Sequence, residues 1–175
     1  MYGYALFDTA LGRCGIAWGP RGIAGVELPG SSDDSTRRRL RRSAPGAVEL
    51  EPPAGVATAI AAIQRLLSGA PEDLSSVALD MDDVPEFHHR VYDVARAIPP
   101  GETRSYGEIA TALGEPGAAQ AVGKALGRNP FPIIVPCHRV LAADGALHGF
   151  SAPGGLETKR RMLALEGAMP PSLFD

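Results

Sequence analysis

The residues of this 175-residue chain best suited to covalent chemistry lie in one run, Asn129-Pro130-Phe131-Pro132-Ile133-Ile134-Val135-Pro136-Cys137-His138-Arg139-Val140. Three prolines, at 130, 132 and 136, forbid a regular helix and hold an extended apolar stretch on a fixed path. That path delivers Cys137 to the point after Pro136 where a new helical turn can open. A thiol at a helix start, beside imidazole and guanidinium groups, is expected to have a lowered pKa and more thiolate at neutral pH. The competing reading is a buried, inert cysteine, the usual state of a lone Cys. Cys14 has no such neighbours and takes that reading. A Cys-His protease would need an imidazole from a distant chain position, because adjacent side chains seldom point at each other. His88, His89 and His148 sit in no recognisable context, whereas His138 can act on Cys137 through a bridging water.

A second stretch is unusual in bulk. Gly117, Ala118, Ala119, Ala121, Val122, Gly123 and Ala125 leave a helix thin on every face. Such a helix suits tight packing against a neighbour; it also suits a narrow groove, where its backbone N–H groups can meet phosphates. The elements around it are punctuated clearly. Phe87, Val91, Val94, Ala95 and Ile98 share an apolar helical face that Pro99-Pro100-Gly101 ends. Ser105-Tyr106-Gly107-Glu108 is a capping box opening a second helix, which Gly114 closes. Pro116 suits the first position of a third helix running to about Gly127. Helix, short Gly-containing turn, helix is helix-turn-helix geometry. A last helix is expected over residues 156–166.

The first half reads as strands over residues 4–8, 14–18 and 23–28, joined by Gly- and Pro-marked turns. A loop with Ser31, Ser32, Asp33 and Asp34 can cap a short basic helix over 36–42. Val56, Ile60, Ile63 and Leu67 mark a helix over 54–67 that Gly69 stops, and residues 76–80 are expected to form a further strand. The fold class expected is an α/β N-terminal domain, residues 1–81, followed by a mainly helical C-terminal domain, residues 82–175, with a winged-helix-like helix-turn-helix. The five arginines within residues 37–42 read as a solvated helix face, since no aromatic interleaves and acidic residues lie just upstream.

Composition removes several classes. Hydrophobic residues at 45% and charged residues at 21% suit a packed core. Two cysteines make no disulfide framework and show no paired zinc spacing, so no metal is expected. The N-terminal residues lack a basic region followed by an apolar one, and no apolar run approaches a spanning helix, so no membrane association is expected. A net charge of −3, spread evenly, means that any contact with DNA relies on a local patch and neutral groups.

Ile98-Pro99-Pro100-Gly101-Glu102-Thr103-Arg104-Ser105-Tyr106-Gly107, then Ala121-Val122-Gly123, Asn129-Pro130 and Pro136-Cys137-His138-Arg139-Val140 together resemble the O6-alkylguanine-DNA alkyltransferases. The likeness is ordered from about Phe87 to Ala168, roughly half the chain. It implies a cytoplasmic, monomeric DNA-repair protein without cofactor whose partner is double-stranded DNA carrying O6-alkylguanine. The helix-turn-helix would bind the minor groove, the damaged guanine would flip into a pocket, and Cys137 would take the alkyl group irreversibly, from O4 of thymine as well in one extension of the scheme.

By the same resemblance, His138 would draw the thiol proton through water, steadied by Glu166. Asn129 would tie the turns around the site, and Tyr106 would contact the flipped nucleotide and help protonate the departing guanine. Carbonyls of Cys137 and Val140 would meet the base's exocyclic amine, with Phe150, Ser151 and Pro132 completing the pocket. Ser105, Ala119, Gln120, Ala121, Gly123 and Arg128 would face DNA.

Three departures stand out. Gln120 occupies the place where the family usually has an arginine that fills the gap left by the flipped base. Phe150 replaces a common tyrosine, and the loop over residues 151–155 is two residues longer than the usual Ser-Gly-Gly, which is expected to alter the adducts that fit. Two rival readings are an alkyltransferase-like damage sensor, a class that replaces the reactive cysteine, and a helix-turn-helix regulator, for which Cys137 would be dispensable.

Overall fold

The computed structural model describes residues 1–147 and 155–169. Strands β1 (Gly3–Thr9) and β2 (Gly12–Gly19) form an antiparallel hairpin, and β3 (Gly22–Glu27) pairs with β2. A two-residue strand, β4 (Val48–Glu49), adds to β1 in parallel, giving the order β3-β2-β1-β4. Both sheet faces are covered, which explains why most of β2 is buried rather than alternating. Helix α1 (Asp33–Ser43), capped by Ser32, lies over Tyr4 and Ala17, with Leu40 as its buried contact. Its close approach depends on Gly15, where a Cβ would come within 2.5 Å of Leu40 Cδ1. On the opposite face Phe7, Cys14, Ile16 and Trp18 join the main core with Val56, Ile63 and Leu66 of α2 (Ala54–Leu67).

The expected strand over residues 76–80 is reduced to a single bridge, Ile23 to Leu79, flanked by hydrogen bonds from Ile23 N to Ala78 O and from Asp80 N to Ile23 O. A turn closed by Val77 N–H on Leu74 O consumes the start of the segment, so too few residues remain extended for a strand. Three arginines of α1 are engaged by neighbours, while Arg38 and Arg42 stay on the exposed face that the sequence suggests. Arg37 pairs with Asp34 and Glu49, Arg39 with Glu27, and Arg41 donates to the Tyr4 hydroxyl.

The second half is helical. Helix α3 (Glu86–Arg96) ends two residues before Ile98, which is still buried in the following turn. Strand β5 (Arg104–Ser105) leads into α4 (Tyr106–Ala112), whose N-terminus carries the full reciprocal capping box of Ser105 and Glu108. Helix α5 covers Ala119–Gly127, so it starts later than Pro116. Ala118 N–H closes a turn on Glu115 O, which places Pro116 at the second position of that turn, where its fixed φ fits equally well. Tyr92 of α3 donates to Ala125 O in α5 at 2.7 Å and locks the helix pair. Strand β6 (Val140–Leu141) pairs in parallel with β5, and α6 (Gly155–Leu165) closes the described chain. Among the described residues no helix is long and apolar enough to cross a membrane.

Candidate active site and nucleic-acid interface

The run singled out by sequence folds as a buried loop, and every residue from 131 to 140 is buried. Asn129 organises it from within. Its Nδ2 donates to Val135 O at 2.9 Å, its Oδ1 accepts from Phe131 N at 2.8 Å, and Val135 N–H returns to Phe131 O. This tight path forces Ile133 to φ +77, a left-handed conformation that a β-branched residue adopts only under constraint. From outside, Val26 N–H of β3 donates to Pro130 O at 3.0 Å, so the edge of the N-terminal sheet holds the loop directly.

Cys137 opens a single 3-10 turn, Cys137–Arg139, and the parallel β5–β6 ladder sets the end of that turn beside the start of α4, which carries Tyr106. The expected low thiol pKa is not found. Burial pushes the Cys137 thiol up; a hydrogen bond from Asn129, the charge of Lys159 and the backbone N–H groups of Cys137 and His138 oppose that rise. A three-residue turn supplies too little dipole to overcome the desolvation of a cysteine that is only 9% exposed. The thiol therefore rests protonated, and ionisation awaits a base.

His138 is fully buried, with Nε2 at 3.0 Å from both oxygens of Glu166. Its Nδ1 has no hydrogen-bond partner among the described residues. A carboxylate can only accept, so Nε2 carries the proton and Nδ1 presents a bare lone pair. Burial lowers the His138 pKa more than Glu166 raises it, which keeps the ring neutral and able to take a proton. Glu166 lies just past α6, and its own burial would raise its pKa; hydrogen bonds from His138 and Arg139, with the charge of Arg139, hold it at about 2.

Lys159 escaped the sequence reading, and Arg139, expected there as a guanidinium acting on the thiol, is turned to other partners. Arg139 grips Glu166 with Nε at 3.0 Å and Nη2 at 2.6 Å while Nη1 donates to Ile98 O at 2.7 Å. Lys159, 1% exposed, donates from Nζ to Val140 O at 2.7 Å and stands 5.9 Å from the centre of the Tyr106 ring. Burial lowers its pKa while the Cys137 sulfur raises it. Burial likewise raises the Tyr106 hydroxyl, with a further rise from Cys137. Only a Lys on the buried face of α6, four positions before Leu163, could have signalled Lys159 in advance.

The structure thus brings Cys137, His138, Glu166, Asn129, Val140 and Tyr106 into one neighbourhood, with Pro132 buried in the loop itself. Phe150 and Ser151, the lengthened loop and His148 lie outside the described residues. Helix α5 buries Val122, Ala125 and Leu126 and exposes Gln120, Ala121 and Lys124; Arg128 beyond its end is exposed too. Ala119 is half-buried, Gly123 lies against the Tyr106 ring, and Ser105 is engaged in its cap. Among the described residues no cluster of three or more His, Cys, Asp or Glu side chains is placed to hold a metal ion.

Comparison with known proteins meets this geometry. Residues 86–168 match the family described as 6-O-methylguanine DNA methyltransferase, DNA binding domain. A methylated-DNA–protein-cysteine methyltransferase of Mycolicibacterium paratuberculosis is 55% identical over 93 residues, covering 51% of this chain and 55% of that protein. The chain thus spans about half the length of the curated mycobacterial relatives it matches. The protein of the same name from Methanothermobacter thermautotrophicus is 33% identical over 153 residues, covering 87% of this chain and 78% of its own length. A crystal structure of Mycobacterium tuberculosis OGT in complex with DNA superposes with a TM-score of 0.73 at 35% identity, over 98% of this chain and 99% of the other. On these likenesses in sequence and fold, the chain belongs to the methylated-DNA–protein-cysteine methyltransferase family.

Proposed function

We propose that this protein repairs DNA by moving an alkyl group from O6 of guanine to Cys137, once per molecule. The observation that carries the reading is the buried series Cys137, His138, Glu166, in which a neutral imidazole held by a carboxylate keeps one nitrogen basic. The thiol proton passes through water to His138 Nδ1 as the sulfur attacks the alkyl carbon in line. The S–C bond forms and the C–O6 bond breaks. Guanine leaves as the neutral base after gaining a proton, which Tyr106 supplies from its hydroxyl and His138 ultimately makes good. Lys159 steadies the developing thiolate, and Asn129 fixes the loop that presents it.

The DNA partner is a duplex bearing O6-alkylguanine, with O4-alkylthymine as a secondary substrate. The exposed face of α5, with Gln120, Ala121, Lys124 and the flanking Arg128, enters the minor groove, and Gln120 fills the stack after the base flips out. We assign residues 1–81 to a supporting α/β domain and 82–175 to the domain that binds and reacts. The protein acts as a monomer in the cytoplasm. Incubation with O6-methylguanine duplex followed by peptide mass spectrometry tests the reading, and one methyl group on Cys137 is the expected result. An unmodified Cys137 overturns it in favour of a damage sensor or a regulator.

A further inference from the structure

Arg139 is 5% exposed, an unusual place for a guanidinium, and it is satisfied on both sides. Two of its nitrogens take one oxygen each of Glu166, and the third donates to the main-chain carbonyl of Ile98, in the turn that follows α3. Glu166 is itself 2% exposed in its side chain, so its two oxygens have only Arg139 and His138 to satisfy them among the described hydrogen bonds. A fork of this kind fixes the plane of a carboxylate, which a point charge does not.

We propose that Arg139 is a positioning residue for alkyl transfer: anchored on Ile98, it fixes the Glu166 carboxylate in the plane that takes the Nε2 proton of His138 and leaves Nδ1 as the base. The inference rests on the alkyl-transfer reading above and adds to it a member that never meets the substrate. The charge of Arg139 has a second consequence. The charged groups acting on His138 are Glu166 beyond the end of α6, Lys159 within α6, and Arg139 on its own turn. Glu166 favours the imidazolium, whereas Arg139 and Lys159 oppose it, in support of the larger effect of burial. Without Arg139 the imidazole is easier to protonate, and a protonated ring cannot serve as the base.

The test is the single-turnover rate of methyl transfer against pH for wild type, Arg139→Met and Arg139→Lys. In Arg139→Met the acid limb of the profile is expected to move up by about one pH unit, the order expected for loss of one nearby charge. Its plateau is expected to fall about tenfold through lost orientation. Arg139→Lys keeps the charge without the fork, so its limb stays in place while its plateau falls. A purely structural contribution lowers the Arg139→Met rate at every pH and leaves its acid limb unmoved, and that result overturns the proposal.

If Arg139→Met does not fold, NMR titration of isotopically labelled His138 in the wild-type protein decides. A neutral ring protonated on Nε2 at and below pH 6.5 supports the clamp; the Nδ1–H tautomer, or ordinary titration near 6.5, overturns it. Absence of methyl on wild-type Cys137 would remove the parent reading instead, and the titration would still report on the clamp.

Discussion

Cys14 and Cys137 are both buried thiols, and burial pushes both upward in pKa, Cys14 to about 11. Their surroundings separate them. Cys14 sits in β2 among apolar side chains, with the Thr9 hydroxyl at 3.5 Å as its one favourable contact, too weak to offset desolvation. Cys137 faces an amide, an ammonium and two backbone N–H groups, next to an imidazole whose outer nitrogen is held by a carboxylate. On the proposed function, a thiol pKa raised at rest does not mark an inert sulfur. What matters is whether groups that stabilise a thiolate are already in place when a base removes the proton.

The sharpest break of that comparison exchanges the two sulfurs' importance. Cys137→Ser is expected to abolish alkyl uptake to the detection limit, while Cys14→Ala keeps the wild-type rate and loses about 1–2 kcal/mol of stability through a small core cavity. Quantitative mass spectrometry after reaction with lesion-bearing duplex measures the first, and urea unfolding the second. Alkyl uptake that followed Cys14 instead would reverse the assignment of the two thiols.

Next in size is the ammonium. Lys159→Met keeps most of the packing volume but removes the charge felt by Cys137 and the donor to Val140 O. The rate is expected to fall about 10²-fold, the scale of one lost preorganised donor. Stability is expected to fall by about 1–3 kcal/mol for the buried carbonyl left unpaired. Rate and stability measured on one preparation separate the two effects, and a stability loss with an unchanged rate would confine Lys159 to holding Val140.

How far these features could be read in advance depended on their range along the chain. The capping box of Ser105 and Glu108, the bounds of α2 and the turn at Cys137 are local, and they follow from residue types at fixed offsets. Pro116 misled because one fixed φ serves a turn as well as a first helical residue. The thiol's direction of shift was missed because desolvation is a sum over the whole fold. The grip of Arg139 on Ile98 O and the left-handed Ile133 were equally out of reach, since distant contacts impose them. Gly15 gives the same lesson in the N-terminal sheet, where the need for glycine comes from Leu40 on another element.

A smaller effect concerns acid stability, where the two cysteine regions also diverge. Glu166 is held at about 2, below its ordinary value of 4.5, so its contribution is fully present above about pH 4.5 and is lost as pH falls toward 2. The contribution is about 3 kcal/mol. His138 acts in the same direction: its lowered pKa makes protonation costly to the fold once pH drops below 6.5. Glu166→Gln should flatten the stability profile between pH 4.5 and 2. The change Cys14→Ala should leave that slope intact, as no carboxylate is among the groups that shift Cys14. Unfolding free energies across this range check both expectations.

The smallest expected effect lies at the surface proposed above to meet DNA. Gln120 is exposed on α5, four residues before Lys124 on the same face. Its amide can enter a base stack and hydrogen-bond the orphaned base, but it adds no cation to a protein of net charge −3. Gln120→Arg brings a planar cation able to stack on neighbouring bases, worth about 1 kcal/mol, or about fivefold in duplex affinity. The gain should shrink as salt rises, because part of it is attraction to the phosphate backbone. Affinity and single-turnover rate on methylated duplex at two salt concentrations measure it. A rate that rises with affinity makes base eversion sensitive to this position, whereas affinity rising alone limits residue 120 to holding DNA. No gain in either would mean that the face carrying Gln120 does not reach the stack.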